Sequence, residues 1–264
     1  MRTGTGMLSA VAVDTVPVLL GRPEAAADRH RLALWLPFFT GTKESAAPVL
    51  ESLVRRGFTA LSLDPWQHGE RAVSPMAELS ERVFAQFRRG MWPILGQTTL
   101  DAIRVIDWAL ERFDVSQDGV VAGGVSMGGD IAVALAGADP RVARVAAVVA
   151  TPDWTRPGMT ALDDPTATLD QGAPSGYGRW LYERLNPMTN QAAYAHGPVI
   201  CFELGAEDTH VPPASAFAFR SALVDTAGLA ASRMRVTAHP GLDHLGASRD
   251  ERVLTAAIEW LLTE

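Results

Sequence analysis

Gly123-Gly124-Val125-Ser126-Met127-Gly128-Gly129 surrounds one hydroxyl with four glycines. The run before it, Gly119 to Val125, is continuously small and apolar, as expected of a strand covered on both faces. The run after it, Met127 to Gly137, is rich in Ala, Ile, Val and Leu and reads as a helix. Ser126 therefore sits where a strand turns sharply into a helix. Such a turn forces its central residue into a strained backbone conformation, and the residues two before and two after must be small. Gly124 and Gly128 occupy those positions. The bend lifts the Ser126 hydroxyl above the end of the sheet. It also sets the Met127 N–H at a helix N-terminus, where backbone donors favour negative charge. The patterns G-x-G-x-x-G and G-x-x-x-x-G-K-[ST] of nucleotide-binding turns do not fit this stretch.

Outward from the serine, strand-like runs occupy 32–38, 58–64, 119–126, 145–151, 198–205 and 233–238. Helix-period segments separate them. One runs from Ser45 to Gly57, and one over 97–113 puts Leu100, Ile103, Ile106 and Leu110 on a single stripe. Others cover 127–137, 212–228 and 250–262. This alternation predicts an α/β fold, doubly wound around a mostly parallel sheet. Near the start, Arg2 precedes the stretch Met7 to Leu20, which partly alternates and is broken by Asp14 and Pro17. It reads as a strand pair rather than a secretion signal.

Residues 152–196 break the rhythm. They are rich in Pro, Gly, Asp and Thr, and carry Trp154, Met159, Tyr177, Trp180 and Tyr182. The segment is long for a plain connection. It is expected to be a short lid insertion over one end of the sheet, with one helix near 177–185, inside one domain spanning 1–264. A surface excursion without function is the alternative.

The formal net charge is −7 over 264 residues and no Lys/Arg-rich run occurs, which argues against nucleic acid and anionic membranes as partners. No stretch approaches the roughly 20 apolar residues of a spanning helix. The one cysteine, Cys201, cannot form an internal disulfide and lies in the apolar run Val199 to Phe202, so it reads as a small buried hydrophobe. A reducing, cytoplasmic location is expected.

The strand–G-x-S-x-G–helix arrangement resembles the nucleophile elbow of the α/β-hydrolase superfamily. A serine hydroxyl is a weak nucleophile until a base takes its proton, and the base needs an orienting carboxylate. The resemblance implies that the acid and then the histidine follow the serine in chain order. The run Phe202 to Pro212, FELGAEDTHVP, resembles the superfamily's acid loop and points to Asp208, with adjacent Glu207 as its rival. Of six histidines, His244 lies in a loop after the last strand and before the final helix, where the superfamily's base sits; His239 is the reserve. His210 stands too near the acid loop to fit the expected order. The oxyanion donors implied are the N–H groups of Met127 and of Phe39. Pro37-Phe38 stands where many relatives carry His-Gly.

The run LDPWQHGERA, residues 63–72, resembles the D-x-x-x-H-G-x-R segment of small bacterial serine carboxylesterases of the dienelactone-hydrolase-like and prolyl-oligopeptidase-like branches. There His68 and Arg71 either anchor loops or touch substrate, while Asp64 is structural. Phe38, Trp154 and Trp180 join His68 and Arg71 as candidate substrate contacts. The resemblance implies a serine hydrolase that cleaves carboxylic esters through an acyl-enzyme on Ser126. Its partner is a small-molecule ester or related acyl compound, and it needs no metal or organic cofactor. Thioester, lactone or peptide-bond hydrolysis would use the same triad. A non-catalytic ligand-binding homologue is the remaining alternative, and three triad residue types in order favour an enzyme.

Overall fold

The computed structural model describes residues 7–263, so Arg2 of the N-terminal stretch lies outside the described residues. One eight-stranded sheet runs through them, built from β1 (Leu8–Val13), β2 (Val16–Gly21), β3 (Arg31–Leu36), β4 (Phe58–Leu63), β5 (Val120–Val125), β6 (Val142–Val148), β7 (Val199–Gly205) and β8 (Met234–His239). The spatial order is β1-β2-β4-β3-β5-β6-β7-β8. The first two strands form an antiparallel hairpin, and β2 is antiparallel to β4. From β4 across to β8 every pairing is parallel.

The continuously apolar strands are explained by helices on both faces. Side chains alternate along a strand, so Val120 and Ala122 enter one apolar layer and Val121 the other. Ile200 and Phe202 likewise face away from Cys201. The first layer is closed by α3 (Phe87–Arg112), α4 (Met127–Ala138) and α6 (Ala214–Ala227). The second is closed by α1 (Ala47–Arg55) and α8 (Glu251–Leu262). Each Leu, Ile, Val or Phe buried between sheet and helix contributes about 1.5–3 kcal/mol.

Two features depart from the sequence expectation. The helix α2 (Met76–Ala85) occupies a stretch to which the sequence assigned no element, and α3 begins at Phe87 rather than at Gln97. Gly90, Pro93 and Gly96 read as breakers, yet all three lie inside α3. Packing overrides propensity here. A Cβ on Gly96 would stand 2.7 Å from the Leu181 Cβ, so glycine lets α3 meet α5 (Gly176–Leu185) at close range. The helix α5 falls where the sequence placed one. The rest of 152–196 is turns, two 3-10 turns (Pro187–Thr189 and Gln191–Tyr194) and a single antiparallel bridge between Thr160 and Thr168. Among the described residues, no helix is long and apolar enough to cross a membrane.

Candidate active site

Ser126 ends β5 and precedes α4 with φ 52° and ψ −119°, a left-handed strain that a non-glycine residue adopts only when its surroundings enforce it. Its N–H donates to the Val148 carbonyl at 2.8 Å, and its own carbonyl accepts from the Asp130 N–H at 3.0 Å, so the helix starts at once. A Cβ on Gly124 would lie 2.6 Å from the Leu36 carbonyl oxygen, and one on Gly128 would run into that same oxygen. Only glycine admits the end of β3 this close. The same approach brings Pro37, Phe38 and Phe39 alongside the serine.

Two further loops converge on this point. After β7, Asp208 turns back on itself and accepts the Val211 N–H at 2.7 Å through Oδ1. After β8, Asp243 caps the six-residue helix α7 (His244–Arg249) by accepting the Gly246 N–H at 2.7 Å. His244 is thus the first residue of a short helix rather than part of a loop. Its Nδ1 lies 2.7 Å from Asp208 Oδ2, and its Nε2 lies 3.1 Å from Ser126 Oγ. An ionised carboxylate only accepts, so the proton belongs on Nδ1, and Nε2 faces the serine hydroxyl as an acceptor. Asp208 is 3% and His244 7% exposed, so little water competes for these bonds. Glu207 is exposed instead, its N–H bonded to the Leu242 carbonyl. His239 is engaged elsewhere, with Nε2 2.7 Å from Glu203 Oε2.

Among the described residues, neither the Met127 N–H nor the Phe39 N–H has a hydrogen-bond partner. Both residues border the cavity into which Ser126 opens. Backbone N–H groups that face a cavity without a protein partner are free to donate to a bound oxygen.

The cavity holds about 520 Å³. Phe38 and Leu245 line it and stay partly exposed, forming its rim. Phe84 of α2, with Phe87 and Met91 of α3, supplies an apolar wall. The sequence reading had no element there. Polar side chains interrupt the apolar lining, and besides His244 two of them, Arg156 and His210, are buried. Arg156 is 2% exposed, pairs through Nη2 with Asp130 Oδ2 at 2.5 Å, and lies 5.1 Å over the Phe87 ring. Burial raises the pKa of Asp130 above its ordinary value, against the pull of the Arg156 charge and of the Thr151 N–H that Oδ1 accepts at 2.7 Å. His210 packs its ring edge-on to His244 at 5.1 Å, and its Nδ1 lies 2.8 Å from the Thr160 carbonyl. Burial, reinforced by the Arg156 charge, pushes its pKa down to about 3 against the opposing Thr160 bond, so it is neutral near pH 7. Neither Arg156 nor His210 was among the sequence candidates for substrate contact. A histidine two residues beyond the acid was the available signal for the latter.

Four of the five candidate substrate contacts lie away from the cavity, and of the two alternatives for His68 and Arg71 their contacts are those of loop anchors. His68 and Arg71 do not line the cavity. His68 is fully buried, its Nδ1 donates to the Trp66 carbonyl at 2.9 Å, and its ring meets the Phe39 ring edge-on at 5.4 Å. Arg71 pairs with buried Asp101 at 2.7 Å and lies over Trp66. Asp64 accepts the Lys43 N–H at 2.9 Å, the Lys43 ammonium at 3.1 Å and the Glu70 N–H at 3.0 Å. The 63–72 run therefore braces the loop after β3 from behind. Trp154 is fully buried, with its N–H on Asn186 and its carbonyl accepting from Trp92. Trp180 is 46% exposed on the outer side of α5, with the Arg184 guanidinium 4.3 Å above its ring. Phe38 alone of the five lies on the cavity.

The model of the prolyl oligopeptidase family matches residues 85–263. No curated protein sequence matches the chain. Among solved structures, TT1662 from Thermus thermophilus superposes with a TM-score of 0.74 at 24% identity, covering 100% of each chain. A Klebsiella pneumoniae subsp. pneumoniae protein assigned as a dienelactone hydrolase gives 0.69 at 15% identity, over 97% of this chain and 98% of its own. The esterase Est2 from Thermogutta terrifontis gives 0.61 at 16% identity, over 97% and 91%. At these identities the likeness is one of fold.

Proposed function

Because the chain belongs to the prolyl oligopeptidase family, a family of serine hydrolases, we propose that it cleaves carboxylic esters of small molecules through an acyl-enzyme on Ser126. One observation carries the reading: Ser126 Oγ, the His244 ring and the Asp208 carboxylate form a continuous hydrogen-bonded line, 3.1 Å and then 2.7 Å, at the edge of a mostly apolar cavity.

On this reading His244 Nε2 takes the Ser126 proton as the oxygen attacks the ester carbonyl. Asp208 holds the ring in the tautomer that leaves Nε2 free, and stabilises the imidazolium that forms. The carbonyl oxygen becomes an anion and draws on the N–H groups of Met127 and Phe39, each such donor supplying about 2.7–4 kcal/mol of transition-state stabilisation. His244 then gives its proton to the departing alcohol. Water, deprotonated by the same ring, releases the carboxylic acid and restores Ser126. Phe84, Phe87 and Met91 receive the apolar part of the substrate. Residues 152–196 act as a partial cover, reaching the cavity through Arg156 and Leu162.

Hydrolysis of p-nitrophenyl butyrate by the purified chain, lost in Ser126→Ala, supports the reading. Labelling of Ser126 by a fluorophosphonate is its independent check. Absence of both sinks it. The family match also favours a second reading, peptide-bond hydrolysis. An N-acyl-aminoacyl p-nitroanilide cleaved with a kcat/KM within about tenfold of its p-nitrophenyl ester counterpart would move the assignment to amides.

A further inference from the structure

His210 and Arg156 stand in the cavity wall with hydrogen-bonding capacity that the acyl-transfer chemistry does not use. His210 Nδ1 faces a carbonyl, which can only accept, so the proton sits on Nδ1 and Nε2 carries a lone pair. Among the described residues that Nε2 has no partner, and the side chain lines the cavity. Arg156 also lines it and is almost fully buried; its Nε is unpartnered but sealed from solvent, and among the described residues no hydrogen bond engages its Nη1. One of its outer nitrogens is spent on Asp130. The wall thus presents an acceptor that stays uncharged near neutral pH, next to a cationic donor.

That combination discriminates among ligand groups. A carboxylate satisfies Arg156 but turns its lone pairs on the His210 lone pair, and it adds a second anion beside buried Asp130. An ammonium donates to His210 but meets the Arg156 charge. An alkyl group leaves both polar groups dry and unpaired, which costs free energy. A neutral hydroxyl serves both, donating its proton to His210 Nε2 and accepting from Arg156. We infer that His210 and Arg156 are specificity-determining residues that select esters bearing an uncharged hydroxyl close to the scissile group. The inference rests on the serine-esterase reading above. The close packing of His210 on the His244 ring puts this recognition beside the reacting atoms.

The test is a pH-stat series on the purified full chain at neutral pH. Ethyl butyrate is the reference. Ethyl 3-hydroxybutyrate carries the hydroxyl on the acyl half, 2-hydroxyethyl butyrate carries it on the alcohol half, and monoethyl succinate carries a carboxylate. The expected result is a kcat/KM for one of the two hydroxylated esters about tenfold or more above ethyl butyrate, the size of one hydrogen bond to a buried partner, with monoethyl succinate lowest. In His210→Phe, which keeps the ring and removes the acceptor, the ratio of hydroxylated to reference ester should fall to within about twofold of unity. The ratio is taken within one protein, so a loss of folded material cancels. If that variant yields no folded protein, the wild-type ranking decides. Ethyl butyrate equal to or better than both hydroxylated esters overturns the inference. So does monoethyl succinate ranking first, or a preference that survives His210→Phe. Turnover of none of the four esters overturns the esterase reading along with it, whereas Ser126-dependent turnover without a hydroxyl preference overturns the inference alone.

Discussion

The turn at Ser126 and the wall built by α2 and the start of α3 meet in the same cavity, yet they are made in opposite ways. The turn is a matter of backbone sterics. Gly124 and Gly128 admit the Leu36 carbonyl, Ser126 takes a conformation that few residues tolerate, and the hydroxyl has one direction left. The wall is a matter of side-chain volume. Phe84, Phe87 and Met91 come from two helices whose joint position depends on packing against α5 and the sheet. On the proposed reading, the difference assigns reaction type to a rigid, local device and the choice of substrate to a distributed and replaceable one.

The comparison breaks first at the serine. Ser126→Ala should lower kcat for p-nitrophenyl butyrate by on the order of 10⁶, with the thermal melt of the folded protein unchanged, since only one oxygen is lost. Residual activity of a tenth or more would mean that the turn is a scaffold and not the reacting centre. Asp208→Asn comes next. It keeps the shape but donates where the carboxylate accepted, so His244 loses its tautomer, and kcat should drop by roughly 10⁴. Burst kinetics with p-nitrophenyl acetate would locate the loss in acylation, deacylation or both.

A smaller effect tests the backbone side of the comparison. Gly128→Ala puts a methyl group against the Leu36 carbonyl oxygen, so either β3 or the elbow must move. Displacing a reacting atom by about 1 Å costs about 10²-fold in rate, and overpacking at a rigid site costs about 1–3 kcal/mol of stability. Both kcat and the urea midpoint should fall together. A normal kcat in this variant would show that the tight approach is dispensable.

On the wall, Phe84→Ala should leave kcat for short acyl esters close to wild type and shift preference toward longer chains by about tenfold in kcat/KM, the worth of one to two methylene groups in an apolar pocket. Trp180→Ala is the matched control. Its ring is exposed on the outer side of α5 and should move no acyl-chain preference. A chain-length shift in Trp180→Ala and none in Phe84→Ala would reverse the assignment of wall and surface.

The same contrast explains what the sequence disclosed. The parallel strands were legible because two covered faces leave only apolar positions, and the elbow because sterics dictate residue types at fixed offsets. The acid-loop pattern pointed to Asp208 over Glu207, although one residue of register would exchange them. In the fold Asp208 turns inward to the Val211 N–H and the His244 ring, while Glu207 faces solvent. The helix α2 and the first turns of α3 were illegible because Gly90, Pro93 and Gly96 look like breakers, and their helical state is decided by neighbours far along the chain. The aromatic residues of 152–196 drew attention as pocket formers. Tyr182 instead stacks on Trp92 at 4.1 Å and fixes α5 to α3, with Trp154 buried nearby. Aromatic composition marks burial, and says nothing about which cavity the rings face.

The smallest effect expected belongs to His210, which the local pattern half disclosed and the packing finished. Its folded pKa is about 3 against an ordinary 6.5, because burial and the neighbouring Arg156 charge disfavour the imidazolium. Between those two values the unfolded chain binds a proton that the folded chain does not, so stability rises with pH across that window and is lost as pH falls through it. The slope from this one group is at most about 1.4 kcal/mol per pH unit. His68, whose pKa burial also lowers, adds in the same direction, while Asp130, whose pKa burial raises, opposes above its ordinary value. These two groups remain in His210→Phe, so the difference between variant and wild type isolates His210. Melting temperatures taken from pH 7 down to pH 4.5 should decline less steeply in His210→Phe than in the wild type. Parallel declines would show that the His210 ring opens to solvent and takes up its proton in the folded protein, and the cavity wall would then carry a second cation in acid rather than a neutral acceptor.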